Sequence, residues 1–410
     1  MIPASTNSGN SITGSAMKSF DPIFPLDHGP LGIYIHVPFC IGRCNYCAFV
    51  TNLYRPDLAE RYVDSVRKEI RLWVNGPGSV FISDDAEVDT IYFGGGTPSL
   101  LAPPRIAELI EAVRSSFRVI EAPEITMEIN PATADRSAIY EFRQTGVNRA
   151  SLGVQSLQDA ELAAMGRLHK ANQAITTYQD LRHAGFENIS VDLIAGFSGQ
   201  SRKSLRDSLE KTAELQPEHL SIYLLELKSG TKLVSMIRDG QMPPLDDDLS
   251  ADLYEDICLF TEKAGYQHYE ISNFARNGRF ALHNLKYWQD QLYIGFGLGA
   301  HGMTGRERYA NLENLEDYEQ AIEEDSLPLL SLTEMTPISR FKDALIMGLR
   351  LVKGIDLDLL GKRYQVDARA FVMETIGDLQ PAGLVVLAGD TLVLSRRGRL
   401  LSNVVFSRWV

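Results

Sequence analysis

Cys40, Cys44 and Cys47 stand four and three residues apart on a stretch that an apolar run, Tyr34 to Phe39, leads into. Three thiolates on one short loop can converge on three irons of a four-iron cluster, which leaves the fourth iron open to a small molecule. A zinc site would call for a fourth Cys or His at similarly short spacing, and a disulfide framework would not place three cysteines within eight residues. The remaining cysteine, Cys258, lies beside the apolar face of a helical stretch from Asp246 to Ala264 and reads as a buried structural thiol.

The elements that must position this loop follow from a repeating pattern. Short β-rich runs occur at 33–37, 90–93, 125–129, 149–153, 188–194 and 219–225, with amphipathic helical stretches between them, among them 57–73, 104–117, 171–184 and 201–214. Strand–helix alternation of this kind predicts an α/β fold: a parallel sheet with right-handed crossovers, rolled toward a barrel whose site forms at the C-terminal strand ends. Residues 1–30, rich in Ser, Asn, Gly and Pro, read as a disordered leader, within which Met17 is an alternative start.

Polar residues recur at those strand ends. Gly94-Gly-Gly-Thr97-Pro98 is either a tight turn or a place where backbone approaches a ligand closely; it is neither a Walker A loop nor a dinucleotide fingerprint. Glu128 ends an otherwise apolar strand, where an unpaired acid is costly; it is a ligand acceptor or, more plainly, an N-cap or surface carboxylate. Gln155 and Arg167 supply a neutral and a cationic donor, with a helix-surface ion pair as the plain alternative for Arg167. Asp192 is again a charge among apolar neighbours at a strand end.

The spacing CxxxCxYC directly after a strand resembles the radical S-adenosylmethionine (SAM) superfamily, and the flanking YIHVPFC narrows the resemblance to the branch holding oxygen-independent coproporphyrinogen III dehydrogenase and the HemW haem-chaperone family. The likeness runs from about Gly32 to the C-terminus. It implies a partial (β/α)6 radical SAM barrel over 31–230, an extension over 231–335 and a smaller α+β winged-helix-like domain over 336–410. It also implies a [4Fe-4S] cluster on the three cysteines whose open iron chelates SAM, with a cluster electron cleaving the sulfonium to a 5′-deoxyadenosyl radical. Carried over residue by residue, the SAM contacts are Tyr34, Tyr46, Gly95, Gly96, Thr97, Glu128, Gln155, Arg167 and Asp192. The family commonly has Asp after the third cysteine, where this chain has Ala48.

Three functions follow from that branch: a haem-trafficking chaperone, a coproporphyrinogen III dehydrogenase, or a radical SAM enzyme acting on another substrate such as tRNA. The dehydrogenases carry a fourth cysteine where this chain has Phe49, and the HNxxYW stretch from His283 to Trp288 is similar to a feature of the HemW type, so the chaperone reading leads. The resemblance connects HNxxYW with haem and makes His283 the expected haem contact. It further implies delivery of haem to acceptor apoproteins, including ones at the inner membrane face, with a homodimer compatible. A net charge of −13 argues against a nucleic-acid backbone as partner, and eleven Lys and Arg against seven Asp and Glu from Thr336 onward is too small an excess to change that. No apolar run reaches the ~18 residues of a membrane span and Met1 to Ser19 lacks the features of a signal peptide, so the expectation is a cytoplasmic protein.

Overall fold

The computed structural model describes residues 29–81 and 86–410; all but the last two residues of the expected leader lie outside these. Six parallel strands form the barrel: β1 (Leu31–Val37), β2 (Glu87–Gly95), β3 (Arg118–Ile129), β4 (Arg149–Gln155), β5 (Ile189–Ala195) and β6 (His219–Leu224). They pair in chain order. Helices Pro56–Asn75, Pro103–Ser116, Arg136–Gln144, Ala171–His183 and Arg202–Glu214 connect them, each burying an apolar stripe such as Val63, Val66, Ile70 and Trp73 of the first.

The strands reverse the usual sidedness of a (β/α) barrel, whose centre is packed with branched apolar side chains. Ile33, Ile35, Ile91, Phe93, Ile125, Met127, Ala150, Leu152, Val191 and Leu193 belong to one continuous apolar core with the helices. Because side chains alternate along a strand, the residues between them share the other face. Contacts across the lumen bear this out: Tyr34 stacks on Tyr92, the Tyr92 hydroxyl donates to Glu128, Ser151 donates to Asp192, and Ser190 meets both His219 and Ser221. The lumen is polar.

A seventh parallel strand, Tyr293–Phe296, pairs with the free edge of β1 at Ile33 and Ile294, and three antiparallel strands continue from it. On the other side, Asn273–Ala275 and Gln267–Glu270 extend β6, so twelve strands form one sheet that stays open at both ends. Glu69, fully buried on the first helix, fixes the seventh strand's end: its carboxylate accepts from the Gly297 amide at 2.7 Å, the Asn311 amide nitrogen at 2.7 Å and the Tyr318 hydroxyl at 2.6 Å.

The C-terminal module has its own core, built on Phe341, Leu345, Leu360, Val372, Leu392 and Trp409. Its helices at Pro337–Gly348, Leu357–Tyr364 and Ala368–Thr375 surround a small three-stranded sheet that includes the hairpin Val385–Ala388 and Thr391–Leu394. The chain ends in two short helices, Arg396–Leu400 and Ser402–Phe406, broken at Leu401. The module docks through the Ile271 amide on the Arg350 carbonyl, the Val352 amide on the Tyr269 carbonyl, and buried Asp290, which accepts from Arg340 at 2.7 Å and from Arg363 at 3.3 Å.

Burial pushes the Glu69 carboxyl up to about 7 against its three donors. The folded state thus binds this proton more tightly than the unfolded chain does, where the group sits near 4.5. Relative to Glu69→Gln, the unaltered protein should lose stability as pH rises from about 4.5 to 7 and level off above, read from urea unfolding at each pH. Glu69→Ala, which strands three buried donors, should cost about 3 kcal/mol near neutral pH.

Candidate active site at the barrel mouth

β1 delivers the cysteine loop to the barrel mouth. Phe39 and Cys40 pair in parallel with Asn52 and Leu53, closing the loop at its base. Asn45 ties its middle: its amide donates to Met165 O at 2.9 Å, its side chain to Ala164 O at 2.8 Å, and its carbonyl accepts from Leu233 N–H at 2.7 Å. Cys40, Cys44 and Cys47 are unbridged and half-buried. Burial pushes the Cys40 and Cys47 thiols up, the neighbouring thiols add to this, and Arg167 opposes it. No group of three or more His, Cys, Asp or Glu among the described residues draws together tightly enough for one metal ion. A polynuclear cluster, which spreads its ligands over separate irons, fits a set of three thiols on one loop with no imidazole or carboxylate among them.

The wall beside the loop is built from strand ends. Gly95 has φ +111°, and a side chain there would run into the His36 ring; a Cβ on Gly96 would stand 2.7 Å from the Phe39 carbonyl oxygen. Thr97 Oγ1 lies 3.6 Å from Cys40 Sγ and accepts from Asn130 Nδ2 at 2.7 Å. Asn130 Oδ1 accepts from Arg167 Nη2 at 2.6 Å, Arg167 Nη2 also reaches Gly153 O at 2.8 Å, and Arg167 Nη1 lies 3.6 Å from Cys44 Sγ. Gln155, at the end of β4, holds φ +66°, a left-handed conformation rare for a residue with a side chain.

Two acids face the same space. Glu128 accepts from the Tyr92 hydroxyl at 2.9 Å and the Gly95 amide at 3.1 Å. Burial, with the Asp192 charge adding to it, pushes Glu128 up to about 7. Asp192 accepts from the Ser151 hydroxyl at 2.9 Å and the Ser190 hydroxyl at 2.9 Å, and burial pushes it up as well. Near both lies Arg149, 2% exposed, whose guanidinium makes no hydrogen bond or ion pair among the described residues and lowers both acids through its charge.

Cys40, Cys44, Cys47, Tyr46, Gly95, Gly96, Thr97, Glu128, Gln155, Arg167 and Asp192 all line one cavity of about 1520 Å³. Two expected contacts do not. Tyr34 backs the wall, its ring on Tyr92 and its hydroxyl on His36 Nδ1 at 3.0 Å. His283 is 1% exposed beneath Tyr34 and Tyr92, with Nδ1 on Thr90 Oγ1 at 2.8 Å and Nε2 on the Tyr287 hydroxyl at 2.9 Å. Burial, helped by the Lys286 and Arg149 charges, pushes it down to about 3. Both ring nitrogens are engaged, so here His283, the expected haem contact, seals the barrel floor and does not line the cavity. From the same motif Asn284 reaches the cavity, and Trp288 carries the Arg350 guanidinium 4.3 Å above its ring.

Sequence reasoning missed Asn130, Arg149 and Arg350. Asn130 had a signal, an Asn–Pro pair immediately after Glu128 and Ile129 at a strand end.

Replacing Cys40, Cys44 and Cys47 together by Ala should abolish the broad visible absorption of the reconstituted protein while the far-ultraviolet circular dichroism persists. Because a protonated Glu128 cannot accept a cation, SAM affinity should rise between about pH 6 and 8 and be flat over that range in Glu128→Gln. Glu128→Ala with Asp192→Ala should weaken SAM binding about tenfold or more by calorimetry.

Comparison with known proteins places these features. The Radical SAM superfamily pattern matches residues 34–212, and that of the HemN C-terminal domain matches residues 335–401. The heme chaperone HemW of Bacillus subtilis is 30% identical over 92% of this chain and 98% of its own length, and that of Mycobacterium tuberculosis is 33% identical over 93% and 95%. The coproporphyrinogen III oxidase HemN of Escherichia coli, a radical SAM enzyme, shares the fold, with a TM-score of 0.80 and 23% identity over 95% of this chain and 91% of that one. A three-cysteine loop on β1, a polar barrel lumen and a HemN-type C-terminal module, with similarity along the whole length of the bacterial relatives, establish that this chain belongs to the HemW family of radical SAM proteins.

Proposed function

We propose that this protein holds a [4Fe-4S] cluster and SAM at the barrel mouth, binds haem in the rest of the same cavity, and passes the haem to haem-requiring apoproteins, including respiratory ones at the inner membrane face. The carrying observation is the size and composition of the cavity. At about 1520 Å³ it exceeds the ~300–1,000 Å³ of a site for one small ligand. Its rim presents Ile41, Phe49 and Leu168, exposed by 56, 63 and 71%, which suit the face of a flat apolar macrocycle. The relatives that match over more than nine-tenths of this chain are named heme chaperones.

A cluster held by the three thiols would supply an electron for the sulfonium of SAM. The protein's part is to hold and orient. Cys40, Cys44 and Cys47 are the cluster ligands. Thr97 and Arg167, joined to each other by Asn130, lie against and steady two of their sulfurs. The glycines at 95 and 96 let the ligand reach the strand end without a side chain in its way, and Glu128 and Asp192 accept its ammonium and hydroxyl donors. Gln155 and Tyr46 line the remaining edge, and the Arg149 charge opposes the upward push of burial on the two acids without occupying their oxygens.

No helix among the described residues is long and apolar enough to cross a membrane, and the reading places the protein in the cytoplasm, meeting acceptors from that side. Phe49, standing where a fourth cysteine is expected in the dehydrogenases, disfavours radical decarboxylation.

Anaerobic titration of the cluster-reconstituted protein with haem should produce a Soret band with defined stoichiometry that transfers to an apo-cytochrome on mixing. Incubation with coproporphyrinogen III, SAM and a reductant should yield no protoporphyrinogen. Robust decarboxylation, or absence of haem binding, would sink the chaperone reading.

A further inference from the structure

The C-terminal module carries eight arginines, and their pairing divides them sharply. Arg340 and Arg363 are paired with Asp290, Arg369 with Asp390, Arg396 with Glu255 and Arg408 with Asp378. The remaining three, Arg350, Arg397 and Arg399, form no ion pair among the described residues, and these three line the cavity that the cluster loop opens into. No other arginine of the module reaches it.

Each of the three has donor capacity left over. Arg350 is partly buried, lies over the Trp288 ring at 4.3 Å, and makes no side-chain hydrogen bond among the described residues; its Nε is buried without a partner. Arg399 uses Nη1 on the Leu394 carbonyl at 3.1 Å, beside the Tyr254 hydroxyl, and its Nε is likewise buried and unpartnered. Arg397 is exposed and reaches the Ala382 carbonyl at 3.5 Å. Of the nearby acids, Glu226 is engaged with Lys228 at 2.6 Å and with Asn403. Glu270 accepts from the Ser272 amide through Oε1, and the Arg350 charge favours its ionised form without an ion-pair contact, its Oε2 being buried with no hydrogen bond. Partly buried guanidinium groups such as those of Arg350 and Arg399, which touch no carboxylate among the described residues, are costly unless an anion arrives to use their free donors. Their planar fork matches a carboxylate.

We propose that Arg350, Arg397 and Arg399 are the carboxylate-binding side of the cavity and take the two propionate side chains of a haem held there. The assignment rests on the haem reading and adds to it which part of the ligand the C-terminal module recognises. It also gives Trp288 of the HNxxYW stretch a task, holding Arg350 toward the cavity rather than touching iron.

The test compares haem with haem dimethyl ester, whose propionates carry no charge, on the full-length, cluster-reconstituted protein followed by the Soret band. Wild type should bind haem about tenfold or more tightly than the ester. Arg350→Gln with Arg399→Gln should bring haem down to the ester's affinity and leave the ester's affinity and SAM binding unchanged. Arg369→Gln, an ion-paired arginine that does not line the cavity, should behave as wild type. Equal affinity of wild type for haem and ester would overturn the assignment while leaving the haem reading intact, and this arm needs no variant to fold. Retained discrimination in the double variant would overturn it as well. Failure of wild type to bind either compound would overturn the haem reading and this inference together.

Discussion

The constraint on which the structure depends is the sidedness of six strands. Each sends its apolar residues outward to the helices and its polar ones into the lumen, so the barrel is held together by its wall rather than by its centre. A polar lumen is tolerable only if nearly every group in it finds a partner. The barrel meets this by linking strands: Tyr92 of β2 to Glu128 of β3, Ser151 of β4 to Asp192 of β5, Ser190 of β5 to His219 of β6. The same bonds that satisfy the lumen hold its acids in place for a ligand. Stability and site are one network, and the space at its centre is what an apolar barrel would have filled.

Much of this was legible in the chain, because a charge in a β-rich run is conspicuous. Glu128 and Asp192 announce themselves against Ile125, Met127, Val191 and Leu193, and both line the cavity. Arg149 is the same kind of residue, yet it opens its strand, where a charge ordinarily meets solvent; nothing local says that the lumen closes over it. The seventh parallel strand is invisible for another reason. Its pairing with β1 joins residues about 260 positions apart, and four short apolar residues give no sign of which edge they will cover.

The HNxxYW stretch shows the limit of reading composition. Its density of His, Tyr and Trp suggests a lining, since flat rings and imidazole suit a macrocycle. Rings also pack well against one another, and here His283 and Tyr287 do so, sealing the floor beneath Tyr34 and Tyr92. Lining and packing use the same residue types, and only the position of the short helix Leu282–Trp288, whose first amides Glu124 caps, decides between them.

Asn130 joins Thr97 to Arg167, and these two side chains lie against the sulfurs of Cys40 and Cys44 respectively. Three polar groups, two just past strand ends and one just past a helix terminus, are therefore strung between two of the loop's three sulfurs. Hydrogen bonds in such a chain polarise one another. A change of charge at either sulfur is transmitted along the amide to the donor facing the other, so the two thiolates cannot respond independently: the electronic state of the loop is a shared property, set by an uncharged side chain that touches neither cysteine.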